Sequence, residues 1–248
     1  MNRRDLLGGM TIGAGGLLLG GCDKLNSSPS FRKILTGAEQ LHLNAQQLVA
    51  GGLAREYRAD QMSPVFRTNG NTQPGSAAYA AHAASNFANW RLVVDGLVAK
   101  PLNLSLHDLG AFPQRAQITR HDCVEGWSAI GKWQGPMLGE ILKAAGLSDR
   151  AKYIVFHCAD DSDGRPYYES IDLYDAFHPQ TILALLMNNQ RLSIGHGAPI
   201  RLRAERHLGY KHAKFVMRIE ARDRIDNLFD GKGGFWEDVS DYAWYAGI

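Results

Sequence analysis

Residues 121–128 read HDCVEGWS and place Cys123 among a histidine, two acids and a tryptophan. The chain has three cysteines, and no Cys-x-x-Cys pair surrounds this one. A thiolate is a soft ligand for transition metals, and a thiol with a histidine as base can also act as a nucleophile. Alternatively, Cys123 is simply buried, or forms a disulfide with Cys158 in an oxidising compartment. Local chemistry alone favours these structural roles without excluding the others.

Composition indicates a globular protein and gives no sign of a nucleic-acid partner. The 248 residues are 45% hydrophobic and 21% charged, which is ordinary for a domain with a real core. The formal net charge is +2, and no long basic stripe is present. We therefore expect no nucleic acid among the partners.

Residues 1–22 are expected to be an export signal with a lipobox-like end. Arg3 and Arg4 precede an uncharged, apolar, Gly-rich run that reaches Cys22. The arginine pair resembles a twin-arginine signal. Small residues directly before Cys22 predict its lipidation, with a plain cleaved signal as the alternative. We therefore expect a periplasmic protein, exported by the twin-arginine route and attached to the membrane through Cys22.

The rest of the chain divides into a tether with a helical segment, residues 23–60, and one large domain, residues 61–248. Capping residues predict a short helix after Ser105, and an apolar face predicts another over residues 135–146. A strand–turn–strand is expected at 90–101, with the apolar pairs Val93-Val94 and Leu97-Val98 around Asp95-Gly96. Further strands are expected at 153–160, 200–205 and 214–223, and a short apolar helix at 181–189. Because helices and strands alternate irregularly, we assign the α+β class.

A second cluster of candidate residues reads GHGAPIRLRAERHLGYKHAK, residues 195–214. Glycines, arginines, lysines and histidines in such a turn, strand and loop can hold a phosphate. The alternative is a solvated basic strand. A third piece is the loop FRTNG, residues 66–70, in which Asn69 either shapes a turn or presents its amide to a ligand.

These three pieces, in this order, resemble the sulfite-oxidase family of molybdenum–pterin enzymes, and in particular its bacterial periplasmic branch, which includes the catalytic subunit of a methionine-sulfoxide reductase. The resemblance spans roughly residues 60–225. It implies a molybdopterin-binding oxidoreductase domain over residues 61–248, with mixed β-sheets and flanking short helices. The cofactor it implies is molybdopterin with molybdenum.

The resemblance also implies roles for individual residues. Cys123 would be the metal ligand through its thiolate, and Glu125 would lie close to the metal as a catalytic acid. The pterin and its phosphate would be held by Asn69, Cys158, His196, Arg201, His212, Ala213 and Lys214. Arg67, Arg120 and His121 are further candidates for the substrate end, where cations would favour anions. Trp127 and Trp133 are expected to pack in the core.

The reaction implied is a two-electron oxo transfer on a small or protein-bound S- or N-oxide, or on an anion such as sulfite. Electrons would be exchanged with a membrane haem protein or a cytochrome. Residues 71–73 read NTQ and lack the aromatic–acidic pair that follows the asparagine in methionine-sulfoxide reductases, so the resemblance does not fix the substrate. The alternative function is a non-catalytic exported lipoprotein, a binding module with Cys123 in a disulfide.

Overall fold

The structure is a computed structural model that describes residues 52–162 and 164–248, together with 28–30 and 41. The chain forms two compact units, Met1–Gly52 and Leu53–Ile248. In the first unit, residues 29–30 and 41 are helical. The expected export signal with Cys22, and most of the tether and helical segment 23–60, lie outside the described residues. Within the described part, no helix is long and apolar enough to cross a membrane.

The larger sheet of the second unit has five strands and mixed direction. Its spatial order is β2-β1-β11-β5-β6; only β1 and β11 run parallel. The bounds are β1 (Leu92–Gly96), β2 (Leu102–Leu104), β5 (Tyr153–Ser162), β6 (Arg165–Asp172) and β11 (Val216–Arg222).

A second sheet carries the hairpin that contains Cys123. Its strands pair antiparallel in the order β3-β4-β8-β9, and a separate two-stranded sheet pairs β7 with β10. A Cβ on Gly135 would lie 1.9 Å from the carbonyl oxygen of Leu183, so glycine lets β4 approach β7. The bounds are β3 (Gln114–Cys123), β4 (Trp127–Pro136), β7 (Ile182–Ala184), β8 (Leu186–Met187), β9 (Gln190–Arg191) and β10 (Arg201–Arg203).

Short helices flank these sheets. They are α1 (Ala77–Ala84), α2 (Leu106–Ala111), α3 (Leu138–Ala145), α4 (Leu173–Ala176) and α5 (Phe235–Ser240), with 3-10 turns at Ala59–Gln61, Ile194–His196 and Gly209–Lys211. Helix α3 buries its apolar face in the main core with residues of the larger sheet. The sequence-based α+β class, with mixed sheets and short flanking helices, is confirmed.

Several local predictions are confirmed. The side chains of Ser105 and Asp108 cap α2 reciprocally. Helix α3 ends at Gly146, whose φ of 68° is left-handed. The strands expected at 153–160 and 214–223 form as β5 and β11.

The apolar run at 181–189 is not the predicted helix. It forms β7 and β8, and Asn188 and Asn189 follow with φ of 51° and 66°, which turn the chain into β9. A short, continuous apolar run fits a buried strand as well as a buried helix, and here both strands are held by sheet partners.

Two further expectations need correction. The partner of β1 begins at Leu102, not at the predicted Leu97-Val98 pair. In β10, Arg201, Leu202 and Arg203 are all buried, so neither arginine lies on a solvated face. Buried arginines are rare unless their charge or their hydrogen-bonding groups have a use, and this strand leads to the site.

Candidate active site

Cys123 is the last residue of β3, at the tip of the β3–β4 hairpin. It pairs with Trp127 across a three-residue turn that closes at Gly126, whose φ is 83°. The turn is fixed by a hydrogen bond in which the amide of Gly126 donates to the carbonyl of Cys123, 3.0 Å away. The hairpin presents Cys123, Val124 and Glu125 to one cavity of about 300 Å³.

The cavity brings together five of the predicted site residues. Its lining includes Asn69, Cys123, Glu125, His212 and Lys214, which come from three separate parts of the chain. Cys158, His196, Arg201 and Ala213 do not line it. Arg201 donates to the carbonyl of the lining residue His212, and Ala213 stands between His212 and Lys214 in the chain.

Lys214 is held at the cavity wall by carbonyl groups. Its ammonium donates to the carbonyl oxygens of Asn71 and, at 2.9 Å, Gly195. An ammonium has three donors, so one is left for a ligand. Burial, and then the nearby Arg201, lowers the pKa of Lys214 to about 7. An anionic group placed here would restore the charged form.

His212 presents an unused acceptor to the same wall. Its Nε2 donates to the carbonyl of Ala204 at 2.9 Å, which leaves Nδ1 buried and unpartnered. Burial, followed by the charge of Arg203, keeps the pKa of His212 well below its usual value, so the ring is neutral. The amide of neighbouring Ala213 donates to the carbonyl of Lys211 at 3.1 Å and shapes the turn.

Arg201 and His196 support the wall from behind. Arg201 is fully buried, donates to the carbonyls of His196 and His212, and keeps Nε without a partner. Both ring nitrogens of His196 are engaged, with Ser193 Oγ at 2.8 Å and the carbonyl of Phe66 at 3.1 Å. His196 therefore positions the loop that carries Asn69.

Cys158 lies where two strands are irregular. It faces Val216 across a register shift in the β11–β5 pair, and the β5–β6 pair shifts register between His157 and Asp161. Such bulges redirect side chains, and next to this one Asp160 lines the cavity. Burial raises the pKa of the Cys158 thiol well above its usual value. Cys158 is thus a neutral neighbour of the cavity.

Cys123 and Cys158 are both free thiols, so the structure does not support the disulfide alternative. Burial raises the pKa of Cys123, and the charge of Glu125 adds to this. A bound metal ion would displace the proton, because metal ligation requires the thiolate.

The three further candidates for the substrate end do not reach it. Arg67 is exposed and does not line the cavity. Arg120 pairs with Asp122 at 2.9 Å and lines a different, shallow pocket. His121 is fully buried, and its Nδ1 accepts from Arg203 at 3.1 Å. His121 and Cys123 are two residues apart and so lie on the same face of β3. The His121 ring packs against the ring of His212, with centroids 5.2 Å apart, and a local motif does not reveal such a tertiary contact.

Sequence reasoning also missed several cavity residues. Asp160 is 5% exposed, and burial raises the pKa of its carboxyl to about 6 despite a hydrogen bond from Asn71. The other missed lining residues are Gly70, Asn71, Val124 and Ser162, together with five aromatic ones: Tyr167, Tyr210, Phe235, Trp236 and Tyr242. The only sequence signal for the last three was the aromatic density of residues 235–245.

The residues present fit a molybdopterin. Around the site, the buried atoms Asn69 Oδ1, His212 Nδ1 and Arg201 Nε have no hydrogen-bond partner, although such groups are usually satisfied. Two acceptors and a donor match the mixed edge of a pterin ring. Lys214 offers its spare donor to a phosphate, and Cys123 is a soft metal ligand. Among the described residues, no group of three His, Cys, Asp or Glu could bind a metal unaided.

Comparison with known proteins gives a match to the oxidoreductase molybdopterin-binding domain over residues 79–229, more than half of the chain. The chain belongs to this family of molybdopterin-dependent oxidoreductases. It is therefore a molybdenum enzyme whose cofactor is molybdopterin, as the sequence resemblance implied.

The family's relatives include a candidate protein-methionine-sulfoxide reductase subunit, YedZ1, of Azospira oryzae, which is 40% identical over 76% of this chain and 69% of the relative. The catalytic subunit MsrP of Campylobacter jejuni is 31% identical over 68% of this chain and 60% of the relative. MsrP of Xanthomonas campestris is 30% identical over 71% of this chain. The chain spans less than two thirds of either MsrP.

A solved relative supports the fold. The sulfane dehydrogenase SoxCD of Paracoccus pantotrophus matches with a TM-score of 0.51 and 25% identity, over 55% of this chain and 39% of that one. The likeness places the chain in the sulfite-oxidase-like fold.

Proposed function

We propose that this enzyme reduces the sulfoxide group of oxidised methionine side chains. Support comes first from the relatives, of which those above from Azospira, Campylobacter and Xanthomonas carry names that refer to protein-methionine-sulfoxide reductase. Because the chain spans only part of the MsrP relatives, their activity is carried over here as a proposal.

The observation that carries the proposal is the charge of the cavity. Among the described residues that line it, Lys214 is the only lysine or arginine, and carbonyl oxygens take two of its donors. Glu125 and Asp160 line the same space. With the third donor of Lys214 given to the phosphate of the cofactor, an anion such as sulfite would meet two carboxylates and no remaining cation of the described lining. A neutral sulfoxide would not be repelled in this way.

When bound, the cofactor supplies two-electron oxo transfer. The net reaction converts a sulfoxide, two electrons and two protons into a thioether and water. Cys123 would hold the metal, while Asn69, His212 and Lys214 would orient the pterin and its phosphate. Glu125 is exposed at the open end, and its Oε2 accepts from Trp127 Nε1 at 3.0 Å. This carboxylate could take up and pass on one of the two protons that the net reaction consumes.

We further propose a periplasmic location, export by the twin-arginine route and a lipid anchor on Cys22. The support is the composition of residues 1–22. The relatives named as subunits support a separate electron donor, for which a membrane haem protein or a cytochrome is suited. Replacement of both Arg3 and Arg4 by lysine should block export of the folded protein, as measured by cell fractionation.

Purified protein from a host that makes the cofactor tests the reaction. With reduced benzyl viologen as electron donor, we expect turnover of a peptide containing methionine sulfoxide. With ferricyanide as acceptor, we expect no comparable oxidation of sulfite. Sulfite oxidation without sulfoxide reduction would contradict the proposal.

A further inference from the structure

Five of the residues that line the cavity are tyrosine, phenylalanine or tryptophan. We define the aromatic wall as Tyr167, Tyr210, Phe235, Trp236 and Tyr242, all of which line the cavity. The rings contact one another in sequence: Tyr167 stacks on Phe235 with centroids 5.2 Å apart, Trp236 on Tyr242 at 5.9 Å, and Tyr210 meets Tyr242 edge-on at 5.0 Å. Phe235 and Trp236 meet edge-on at 5.4 Å, so rings from β6, the 3-10 turn at Gly209–Lys211, α5 and the segment after α5 form one continuous surface.

The wall is held in place by groups that do not face the cavity. Tyr210 Oη donates to the carbonyl of Ala243 at 2.6 Å, and Tyr167 Oη to that of Tyr210 at 3.1 Å. Beneath them, buried Lys211 contacts Glu169 and Glu237, each at 2.5 Å. Because Glu237 follows Trp236 in α5, this ion pair fixes the helix that supplies the wall. A surface so anchored is preorganised for a ligand.

Two of the five rings can meet a ligand more freely than the others. Phe235 and Tyr210 are 5% and 7% exposed, and the hydroxyl of Tyr167 is already bonded. Trp236 and Tyr242 are only partly buried. The polar residues of the lining, here called the polar side, include Asn69, Asp160, His212 and Lys214, whose chemistry suits the pterin and its phosphate.

We infer that Trp236 and Tyr242 determine substrate specificity by binding the methyl and methylene groups next to the sulfoxide sulfur. This inference rests on the proposed function. Sulfur next to an aromatic ring edge is favourable, and apolar groups gain from leaving water, whereas a small inorganic anion gains neither. Both residues lie beyond residue 229, where the family match ends, so family membership does not itself specify these two rings.

The test compares two sulfoxides with the cofactor-loaded enzyme. An N-acetyl methionine sulfoxide amide presents the whole side chain, and dimethyl sulfoxide presents the reacting group alone. Wild type should prefer the amide at least ~10-fold in kcat/KM, the discrimination typical of one or two methylene contacts. Trp236→Ala should lower kcat/KM for the amide by ~10-fold, mostly through KM, and for dimethyl sulfoxide by less than ~2-fold.

Two controls separate a local contact from a general defect. Phe229→Ala removes a half-exposed aromatic ring of the C-terminal segment that does not line the cavity. It should leave kcat/KM unchanged for both the amide and dimethyl sulfoxide. Trp236→Phe should restore most of the amide activity. Molybdenum and pterin content, measured on every variant, should equal that of wild type.

The outcomes distinguish this inference from the function on which it rests. Failure of the wild type to reduce either sulfoxide would overturn the proposed function. Another outcome is that the wild type reduces the amide while Trp236→Ala lowers kcat/KM equally for both sulfoxides, or for neither. In that case the specificity role is wrong and the proposed function stands. An equal preference of wild type for the two sulfoxides would also overturn the specificity role.

Discussion

The two sides of the cavity differ in whether their own groups are satisfied. The polar side leaves Asn69 Oδ1 and His212 Nδ1 buried without partners, whereas in the aromatic wall the hydroxyls of Tyr167 and Tyr210 have carbonyl partners. Buried hydrogen-bonding groups without partners are costly, so a polar ligand that pairs with them binds favourably. A surface whose polar groups are already paired binds a ligand through its shape and through apolar contacts. The difference supports the proposal that the polar side holds the cofactor and the aromatic wall holds the substrate.

The largest effect should follow from removal of the proposed metal ligand. Cys123→Ser keeps the hairpin and its size but replaces a soft sulfur with a hard hydroxyl. We expect sulfoxide turnover to fall by more than ~100-fold while circular dichroism and unfolding remain close to wild type. Cys158→Ser is the matched control, since that thiol lies outside the cavity lining. Full activity in Cys123→Ser would contradict the proposed mechanism.

A second prediction concerns Lys211, which connects the polar side to the aromatic wall. Lys211 precedes His212 of the polar side and contacts Glu237 of α5, the helix that carries Trp236. It also contacts Glu169. Burial raises the pKa of Glu169 well above its usual value, and the charge of Lys211 offsets only part of that rise. Lys211→Met would leave two buried carboxyl groups without their cation. The free energy of unfolding should fall by about 3–5 kcal/mol, measured by urea denaturation.

Lys232→Met serves as the control for this change. That lysine also pairs with an acid of the C-terminal segment, Asp241, but both side chains are substantially exposed. Its removal should leave the urea midpoint near that of wild type. Equal effects of the two substitutions would show that the buried triad does not anchor the aromatic wall.

The smallest predicted effect is a pH dependence on the polar side. Burial raises the pKa of Asp160 to about 6, so between pH 4 and 6 the folded chain binds more protons than the unfolded one. Stability from this group is present below pH 4 and lost as the pH rises through 6. The difference in free energy of unfolding between Asp160→Asn and wild type should therefore shift by about 2–3 kcal/mol in favour of the variant from pH 4 to pH 7.5, measured on the cofactor-free chain.

The control for this pH profile is Asp161→Asn, which removes an exposed neighbouring carboxylate. For Asp161→Asn, chemical denaturation should show the same change in free energy of unfolding between pH 4 and pH 7.5 as for wild type. An unchanged profile for Asp160→Asn would show that the buried carboxyl does not cost stability when ionised.

The sequence predicted the polar side better than the aromatic wall, for a physical reason. Cys123 and Glu125 lie in one hairpin turn, and His212 and Lys214 in one loop, so local spacing carries their geometry. Trp236 reaches the cavity only through the packing of α5 against other elements. No local pattern encodes such a contact.

The same limit explains the errors in the fold. The run at 181–189 has the composition of a short buried helix, and only its pairing with β10 and β4 makes it strands. The solvated basic strand that was the alternative for residues 195–214 is not formed, because the arginines of β10 are buried. Helix α3 and the cap of α2 were predicted correctly because their signals are local.

The most direct test of the account is the sulfur coordination of molybdenum, measured by X-ray absorption on the loaded wild type and on Cys123→Ser. If Cys123 is the protein ligand, the variant should retain pterin and metal but show one fewer sulfur neighbour. An identical sulfur shell in the two proteins would contradict the assignment of Cys123 as ligand and, with it, the mechanism built around the hairpin tip.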